Sequence, residues 1–451
     1  RVRAFQRILE SAHVSAFVRT TRGDDIDAAC GMLGAERLDA ARGRTPLGGK
    51  LTFTVPLPTS RLDPHDPFDS LAALIGHAVF DPLYGSGPLG PVPVLAEALP
   101  RRSAGKVLVP LRSGLRTAGG RAIGFADVEH SLQRAAVHSP LIAAAGKPER
   151  VRGEQDTIAF AAPMASVLAA LSSPLAAIAS KGSTPSAPDG TGAFSVRLGA
   201  AEAVLSRSLM AATGPSFLES ITLRRAASLE ACLRDFEAER SDWGWLRMGL
   251  FAARPGAQAF ALGSLGAVVL SATPQTEGLS QRGATQRLVD LLPRSRLAHT
   301  GLSGLGEGSA GVRWEARPVD LFVESGNVQL EEVASAIAAV LSQPQHEVTV
   351  RKVTGAKLAE ARTRREPALA LTLVRSASRQ RMAVGGALAK LEGGDGRGLD
   401  AVEPRRACAE LHSGVVGELL LRGGVIAGLR LATDQGQLSL PNSSLRAATR
   451  K

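Results

Sequence analysis

Leu111-Arg112-Ser113-Gly114-Leu115, then Gly120-Arg121-Ala122, Ala126-Asp127-Val128 and Ser131-Leu132 are the most informative segments of this 451-residue chain. The run from Lys106 to Leu111 is short and apolar, as a strand is. The glycines between Leu115 and Arg121 mark a hairpin region. Ala126-Asp127 opens a helix whose Val128, Leu132 and Ala135 recur at helical spacing on one face. Strand, glycine turn and amphipathic helix thus follow one another directly.

Working outward toward the N-terminus, Leu51 to Val55 alternates apolar and polar residues and reads as a strand that Pro56 and Pro58 end. Asp69 or Ser70 caps a helix carrying Leu71, Leu74, Ile75 and Val79 on one face, which Asp81 to Gly85 closes. Val2, Phe5, Ile8, Leu9, Val14, Phe17 and Val18 predict a short amphipathic helix in a separate N-terminal segment, residues 1–47.

Toward the C-terminus, Thr157 to Phe160 is a strand and Met164 to Leu171 a helix between two prolines. Gly192 to Leu198 and Ala203 to Ser208 form a hairpin; Ser220 to Arg224 is a strand and Leu229 to Ala238 a helix. A strand at Val268 to Leu270 and a helix from Gln281 to Leu292 follow. Strands at Val319–Val323, Glu347–Val353 and Leu369–Val374 alternate with helices at Leu330–Leu341 and Gly355–Arg364, a βαβαβ-like series. Gly414 to Leu421 and Val425 to Leu431 read as terminal strands.

Composition sets the class. Hydrophobic residues at 44% and charged residues at 21% are those of a globular chain long enough for two or three cores. The net charge of +11 is a first mark of nucleic-acid binders. Here the arginines are scattered, without a basic run or interleaved aromatics, and a high-GC coding sequence explains the excess equally well; no nucleic acid is expected. Cys30, Cys232 and Cys408 have no paired spacing, so no zinc site is expected; one disulfide with a free thiol, or three buried thiols, both remain open. The uncharged stretches Thr157–Ser180 and Pro255–Thr276 are broken by proline or rich in glycine and alanine, and read as buried core pieces rather than membrane spans. Asp24, Asp25 and Asp27 lie where an export signal would need an apolar run, so none is visible.

Several segments resemble, in order, the extracytoplasmic solute-binding proteins of family 5, which serve peptide and nickel ABC importers. Leu62-Asp63-Pro64 follows the first strand as the family's LDP does. Val79 to Tyr84 resembles its helix end and following loop, and Val94 to Leu99 its LAE segment. The opening stretch, Leu111 to Leu132, resembles its LRxGL…DVxxSL block. Gly190-Thr191-Gly192-Ala193-Phe194 is close to its GTGPF, with Ala193 in place of proline. The likeness covers roughly Gly48 to Asp242 and, more weakly, Leu262 to Arg375.

The resemblance implies an α/β, two-lobed periplasmic-binding-protein-like fold (type II, family 5 type) with mixed sheets. Lobe one would span 48–265 with the family's extra subdomain, a shortened lobe two 266–400, and 401–451 would return to lobe one. It implies a non-enzymatic protein that captures a small-molecule or peptide solute outside the cytoplasm for an ABC transporter permease, in the periplasm of a Gram-negative bacterium. The alternative is a solute-binding scaffold repurposed as a structural or partner-binding subunit of an envelope assembly, docking through residues 1–47.

Tyr84, the only tyrosine, lies where the family lines its cleft, and Asp242, Trp243 and Trp245 where its chain crosses toward the cleft; these are the expected ligand contacts. Alternation on a strand puts both tryptophans on one side, for a cleft wall or for core anchoring. His65, His77, His130 and His138 lack metal-site spacing and read as surface or core residues, so no metal or cofactor is expected. Gly301 to Leu305 lacks the second glycine of a nucleophile elbow. The glycine pairs at 119–120, 393–394 and 423–424 lack the lysine and spacing of a phosphate loop.

Overall fold

The computed structural model describes residues 49–87, 90–216, 218–246, 258–298, 300–306 and 318–425, with backbone alone at 155, 245–246, 258–264 and 420–425. The expected N-terminal helix, Cys30 and a strand beyond Val425 lie outside the described residues.

Strand β1 (Lys50–Val55) buries Leu51, Phe53 and Val55. After a proline-rich loop, Asp69 caps α1 (Ser70–Val79): its Oδ1 accepts the Ala72 N–H at 2.8 Å, satisfying one of the donors that a helix start leaves open. The chain then departs into a smaller unit. A hairpin of β2 (Tyr84–Gly87) and β3 (Gly90–Pro93) comes first. Then come β4 (Arg101–Ser103), β5 (Lys106–Pro110), α2 (Phe125–His138), α3 (Pro140–Ala143), β6 (Glu149–Val151), β7 (Glu154–Phe160) and α4 (Met164–Leu171). Its four-stranded sheet has the order β4-β5-β7-β6. Val107, Val109, Ile158 and Phe160 of that sheet share a core with Val128, Leu132 and Ala135 of α2 and Val167 and Leu171 of α4.

The return adds the hairpin β8 (Phe194–Arg197) and β9 (Glu202–Arg207), β10 (Ser220–Arg225), helix α5 (Leu229–Glu237) and β11 (Trp243–Leu246). β10 runs parallel to β1 with Ser220 opposite Lys50. The remaining elements are β12 (Gln258–Ala272), α6 (Ala284–Asp290), α7 (Arg294–Leu297), β13 (Leu302–Ser303), β14 (Val319–Glu324), α8 (Val328–Leu341), β15 (Val348–Val353), α9 (Gly355–Arg362), β16 (Ala368–Val374), α10 (Gly385–Leu391), α11 (Pro404–Cys408) and β17 (Ser413–Val425). β14 lies parallel between β15 and β16, which makes 319–374 a βαβαβ unit.

One sheet joins the two halves, in the order β15-β14-β16-β12-β17-β11-β1-β10-β9-β8. Its middle is the long antiparallel pair β12 and β17, in register from Gln258 opposite Val425 to Ser271 opposite Ser413. One end of the pair reaches β11, and the other end reaches β16. The same two strands therefore belong to both halves of the sheet. Their pairing is broken by three register shifts, which bend and twist a strand pair locally. Gly266 sits at one of them with φ +154, and a Cβ there would stand 2.3 Å from the Val374 carbonyl.

The sequence reading found only three residues of β12, because Gly263, Ser264 and Gly266 dilute the apolar alternation that marks a strand. The Gln281–Leu292 helix shortens to Ala284–Asp290, since the Gly283 N–H is taken by the Leu411 carbonyl at 2.8 Å. Among the described residues no helix is long and apolar enough to cross a membrane. Cys232 and Cys408 are separate, buried thiols, and burial pushes both up to about 12, where they are inert toward oxidants and alkylating agents.

Candidate functional site

The functional geometry is built on the loop between β1 and α1, Arg61-Leu62-Asp63-Pro64-His65-Asp66-Pro67-Phe68-Asp69. Its aspartates hold its own backbone, as Asx turns do. Asp69 Oδ2 accepts the Asp63 N–H at 2.8 Å, Asp63 Oδ1 the His65 N–H at 3.1 Å, and Asp66 Oδ1 the Phe68 N–H at 2.9 Å. Arg61 spans the acids from outside, 2.8 Å from Asp66 and 3.4 Å from Asp69. Arg134 on α2 donates to Asp63 Oδ2 at 2.6 Å. His65 is buried and donates from Nε2 to the Ala177 carbonyl at 2.8 Å. Burial holds its imidazole down at about 4, so it is neutral.

Four side chains from the β14–β16 part of the sheet and its helices meet this loop. Arg375, at the end of β16, donates from Nη1 to the carbonyls of Pro64 (3.0 Å) and Asp66 (3.2 Å), and its backbone N–H to Pro67 O at 2.7 Å. Asn327 caps α8 through Oδ1 and donates from Nδ2 to Ser70 Oγ at 3.0 Å, so one amide joins the starts of two helices. The Arg362 guanidinium lies over the Phe68 ring, 4.2 Å from its centroid, a cation–π contact. Glu324, the last residue of β14, completes the seam.

The electrostatics of the seam follow from burial. Burial first, then the neighbouring Asp69 charge, lifts the Glu324 carboxyl to about 7, against the pull of Arg61 and Arg362. Burial also lifts Asp69 to about 6 despite its backbone N–H donors. Burial brings Arg362 down to about 10. Asp66 is held below the usual carboxylate range: burial works against this, and Arg61 and the Phe68 N–H outweigh it.

A raised carboxyl stabilises the folded protein while protonated, and that contribution is lost as pH rises through its folded value. Against Glu324→Gln, the thermal midpoint of the wild type should therefore decline between pH 4.5 and about 7, then run parallel above it. Asp66, Arg61 and Arg362 keep their charge across this range, whereas Asp69, held up at about 6, titrates within it and shares in the difference. Parallel curves throughout would remove Glu324 from the titrating seam.

The Gly190–Phe194 motif has a structural task. Gly192 donates its N–H to the Val79 carbonyl at 2.9 Å, and Thr191 Oγ1 donates to Asp81 Oδ2 at 3.0 Å. The motif thus ties the end of α1 to the start of β8.

The four residues singled out from the sequence do not come together at the seam. Tyr84 is fully buried in the core of the smaller unit, its hydroxyl donating to the Ala98 carbonyl at 3.0 Å. Burial holds its phenol well above the ordinary range. Asp242 pairs with β1, its Oδ2 accepting the Thr52 N–H at 2.8 Å. Trp243 is 2% exposed and meets Phe53 edge-on, ring centroids 5.8 Å apart. Trp245 stands opposite Gly423 in β11, and its side chain lies outside the described residues. His130 on α2 is half-buried and His138 is exposed. Among the described residues no cluster of His, Cys, Asp and Glu could hold a metal ion. The seam residues were missed because Arg61, Asp66, Glu324 and Arg362 look individually like surface charges; the one available signal was three aspartates within seven residues beside two prolines.

No family model matches the chain. Among curated proteins, dual-specificity RNA methyltransferases RlmN of Xylella fastidiosa and Xanthomonas campestris are 58% identical over 41 residues, which is 9% of this chain and 10% of theirs. The matched stretch thus spans about a tenth of the length of those relatives. Solved structures match nearly throughout. NikA from Staphylococcus aureus, in complex with Ni(L-His)2, is 12% identical and aligns over 88% of this chain and 100% of its own, with a TM-score of 0.63. The binding protein AgaA of Agrobacterium tumefaciens R10, in complex with agropinic acid, is 16% identical over 89% and 100%, with the same TM-score of 0.63. The oligopeptide-binding protein AppA of Bacillus subtilis, in complex with a nonapeptide, is 12% identical over 88% and 98%, again at 0.63. Likeness at this level of identity establishes architecture: the chain has the two-lobed α/β fold of the family 5 solute-binding proteins.

Proposed function

We propose that this protein captures a small solute between its two lobes, outside the cytoplasm, and hands it to an ABC importer. The observation that carries the reading is the construction of the seam. Two halves that share a bulged strand pair meet at residues 61–70, 324–327, 362 and 375, where the Glu324 side chain makes no hydrogen bond among the described residues. A hinge of this kind closes on a ligand when the ligand has higher affinity for the closed state. The solved relatives of the same fold hold a nickel–histidine complex, agropinic acid and a peptide.

In this reading residues 48–265 are lobe one, 266–400 lobe two and 401–451 the return. Tyr84, Asp242 and Trp243 support the lobe walls from behind, and the solute meets the seam. The acceptor is a transporter permease, and the compartment is the periplasm. The repurposed-scaffold alternative, motivated by scarce aromatics, a shortened second lobe and the N-terminal helix, is not favoured by the relatives of this fold, which are binding proteins.

A solute that binds only the folded chain at a hundred times its Kd adds about 2.7 kcal/mol of stability. Screening peptides, nickel–histidine chelates and small carboxylates by thermal unfolding should give at least one class that raises the midpoint by several degrees. The absence of any shift in all three classes would sink the reading.

A further inference from the structure

Arg375, which grips the acidic loop from the β16 side, stands beside a break in the shared strand pair. β16 pairs with β12 as far as Val374 opposite Ala267, so Arg375 and Gly266 are the next residues along their strands. One register shift of β12 against β17 falls between Ser264 and Gly266, where Leu265 is the extra residue. Gly266 takes φ +154 there, a conformation that L side chains rarely adopt. An added Cβ would stand 2.3 Å from the Val374 carbonyl oxygen, 2.9 Å from its carbonyl carbon and 3.2 Å from the Arg375 Cα. The bulge thus packs, backbone on backbone, against the root of Arg375.

From that root the contacts run to the other half of the sheet. The Arg375 backbone N–H donates to Pro67 O at 2.7 Å, and its Nη1 donates to the carbonyls of Pro64 and Asp66 at 3.0 and 3.2 Å. Its Nη2 is 3.6 Å from the place a Gly76 Cβ would take, so the guanidinium lies against α1 as well. Loop 61–69 and α1 follow β1, which joins the shared pair through β11. The acceptors in that loop are backbone carbonyls held by Asp63, Asp66 and Asp69.

This path has little slack. At one end the contact is main chain against main chain, and at the other the oxygens are fixed by the loop's own hydrogen bonds. Bulges are where a strand pair bends and twists, and hinges are a few residues that absorb a change in backbone angle. A change of bend at Gly266 must therefore move the Arg375 Cα, and with it a guanidinium whose acceptors cannot follow.

We propose that Gly266 and Arg375 form one mechanical unit, in which the bend of β12 at its bulge sets whether Arg375 reaches the carbonyls of Pro64 and Asp66, so that the shared strands and the seam open and close together. Gly266 is then a positioning residue for the seam. The coupling needs no ligand; in the solute-binding reading it makes the seam the place where bending of the shared strands is felt.

A double-mutant cycle in urea on the full chain tests it. Gly266→Ala should lower the unfolding midpoint and make loop 61–69 cleavable by protease. In an Arg375→Met background the same change should lower the midpoint by about half as much or less, because the contact it disturbs is already gone. Gly414→Ala is the control: it lies in β17, and its Cβ would stand 2.8 Å from the Thr285 carbonyl oxygen, away from Arg375. It should lower the midpoint equally in both backgrounds and leave loop 61–69 resistant, with protease applied equally far below each variant's own midpoint. Full additivity of Gly266→Ala with Arg375→Met overturns the proposal, and so does a resistant loop in Gly266→Ala. Should either variant fail to fold, native-state hydrogen exchange of the wild type decides. The Arg375 amide and those of residues 264–268 should open in one step, with one urea dependence, that leaves the β1–β10 pairing protected. Any other order of opening overturns the coupling.

Discussion

Replacing Arg375 with methionine is expected to cost about 3–5 kcal/mol, the usual result of removing one partner from a buried charged network. Arg375 is 5% exposed, and its guanidinium has no bulk water to fall back on. It satisfies the carbonyls of Pro64 and Asp66, and Asp63, Asp66 and Asp69 all favour its charge. Methionine fills similar volume but leaves those oxygens unpaired and the acidic loop without its inner cation. Arg375→Lys should fall between the two, since an ammonium keeps the charge but not the planar fork. Urea unfolding followed by fluorescence reads the loss, and the seam adds a second readout. The loop 61–69 should become cleavable by protease in Arg375→Met at a urea concentration where the wild type resists. A loss under 1 kcal/mol would mean that the lobes do not depend on this contact.

Gly192→Ala is expected to cost about 2–3 kcal/mol, in the range of overpacked cores. The new Cβ would stand 2.5 Å from the Ala78 carbonyl oxygen and 2.6 Å from the Val79 carbonyl carbon. These are backbone atoms of α1, so no side chain can swing away. The helix end must shift, and with it the Gly192–Val79 and Thr191–Asp81 hydrogen bonds. The same change two residues before Ala78 should have the opposite sign. At Gly76 an added Cβ meets its nearest atoms at 3.6 Å, ordinary contact, and alanine gains about 0.5–1 kcal/mol over glycine inside a helix. Thermal unfolding of both variants checks the pair; a Gly192→Ala midpoint equal to the wild type would mean that α1 and β8 are not locked by this turn.

The two variants also mark how far the chain could be read locally. The Gly-Thr-Gly-Ala-Phe run was recognisable by its residues, but its reason was not: the glycines are required by the approach of α1, which is more than 100 residues earlier. The same holds for the long pair β12 and β17. Each strand alone is glycine-interrupted and weakly patterned, and their length is set by pairing with each other across 142 residues of sequence, as in the Ser271–Ser413 hydroxyl contact.

Neighbouring residues alone set the local alphabet of the fold. β1, α1, α4, the β8–β9 hairpin and the βαβαβ series from Val319 to Val374 stand where apolar periodicity and caps put them, because helix and strand periods are properties of adjacent residues. The strand Ala368–Val374 is buried along its whole length, which is why it reads as a near-continuous apolar run broken by Thr372, as strands covered on both faces do. Only the tertiary structure decided the site. The seam joins Asp63, Asp66 and Asp69 to Glu324, Arg362 and Arg375, partners as far as 312 residues apart. A charge has no periodicity, and whether it is solvated, paired or poised for a ligand depends on desolvation and on neighbours that only the folded chain supplies.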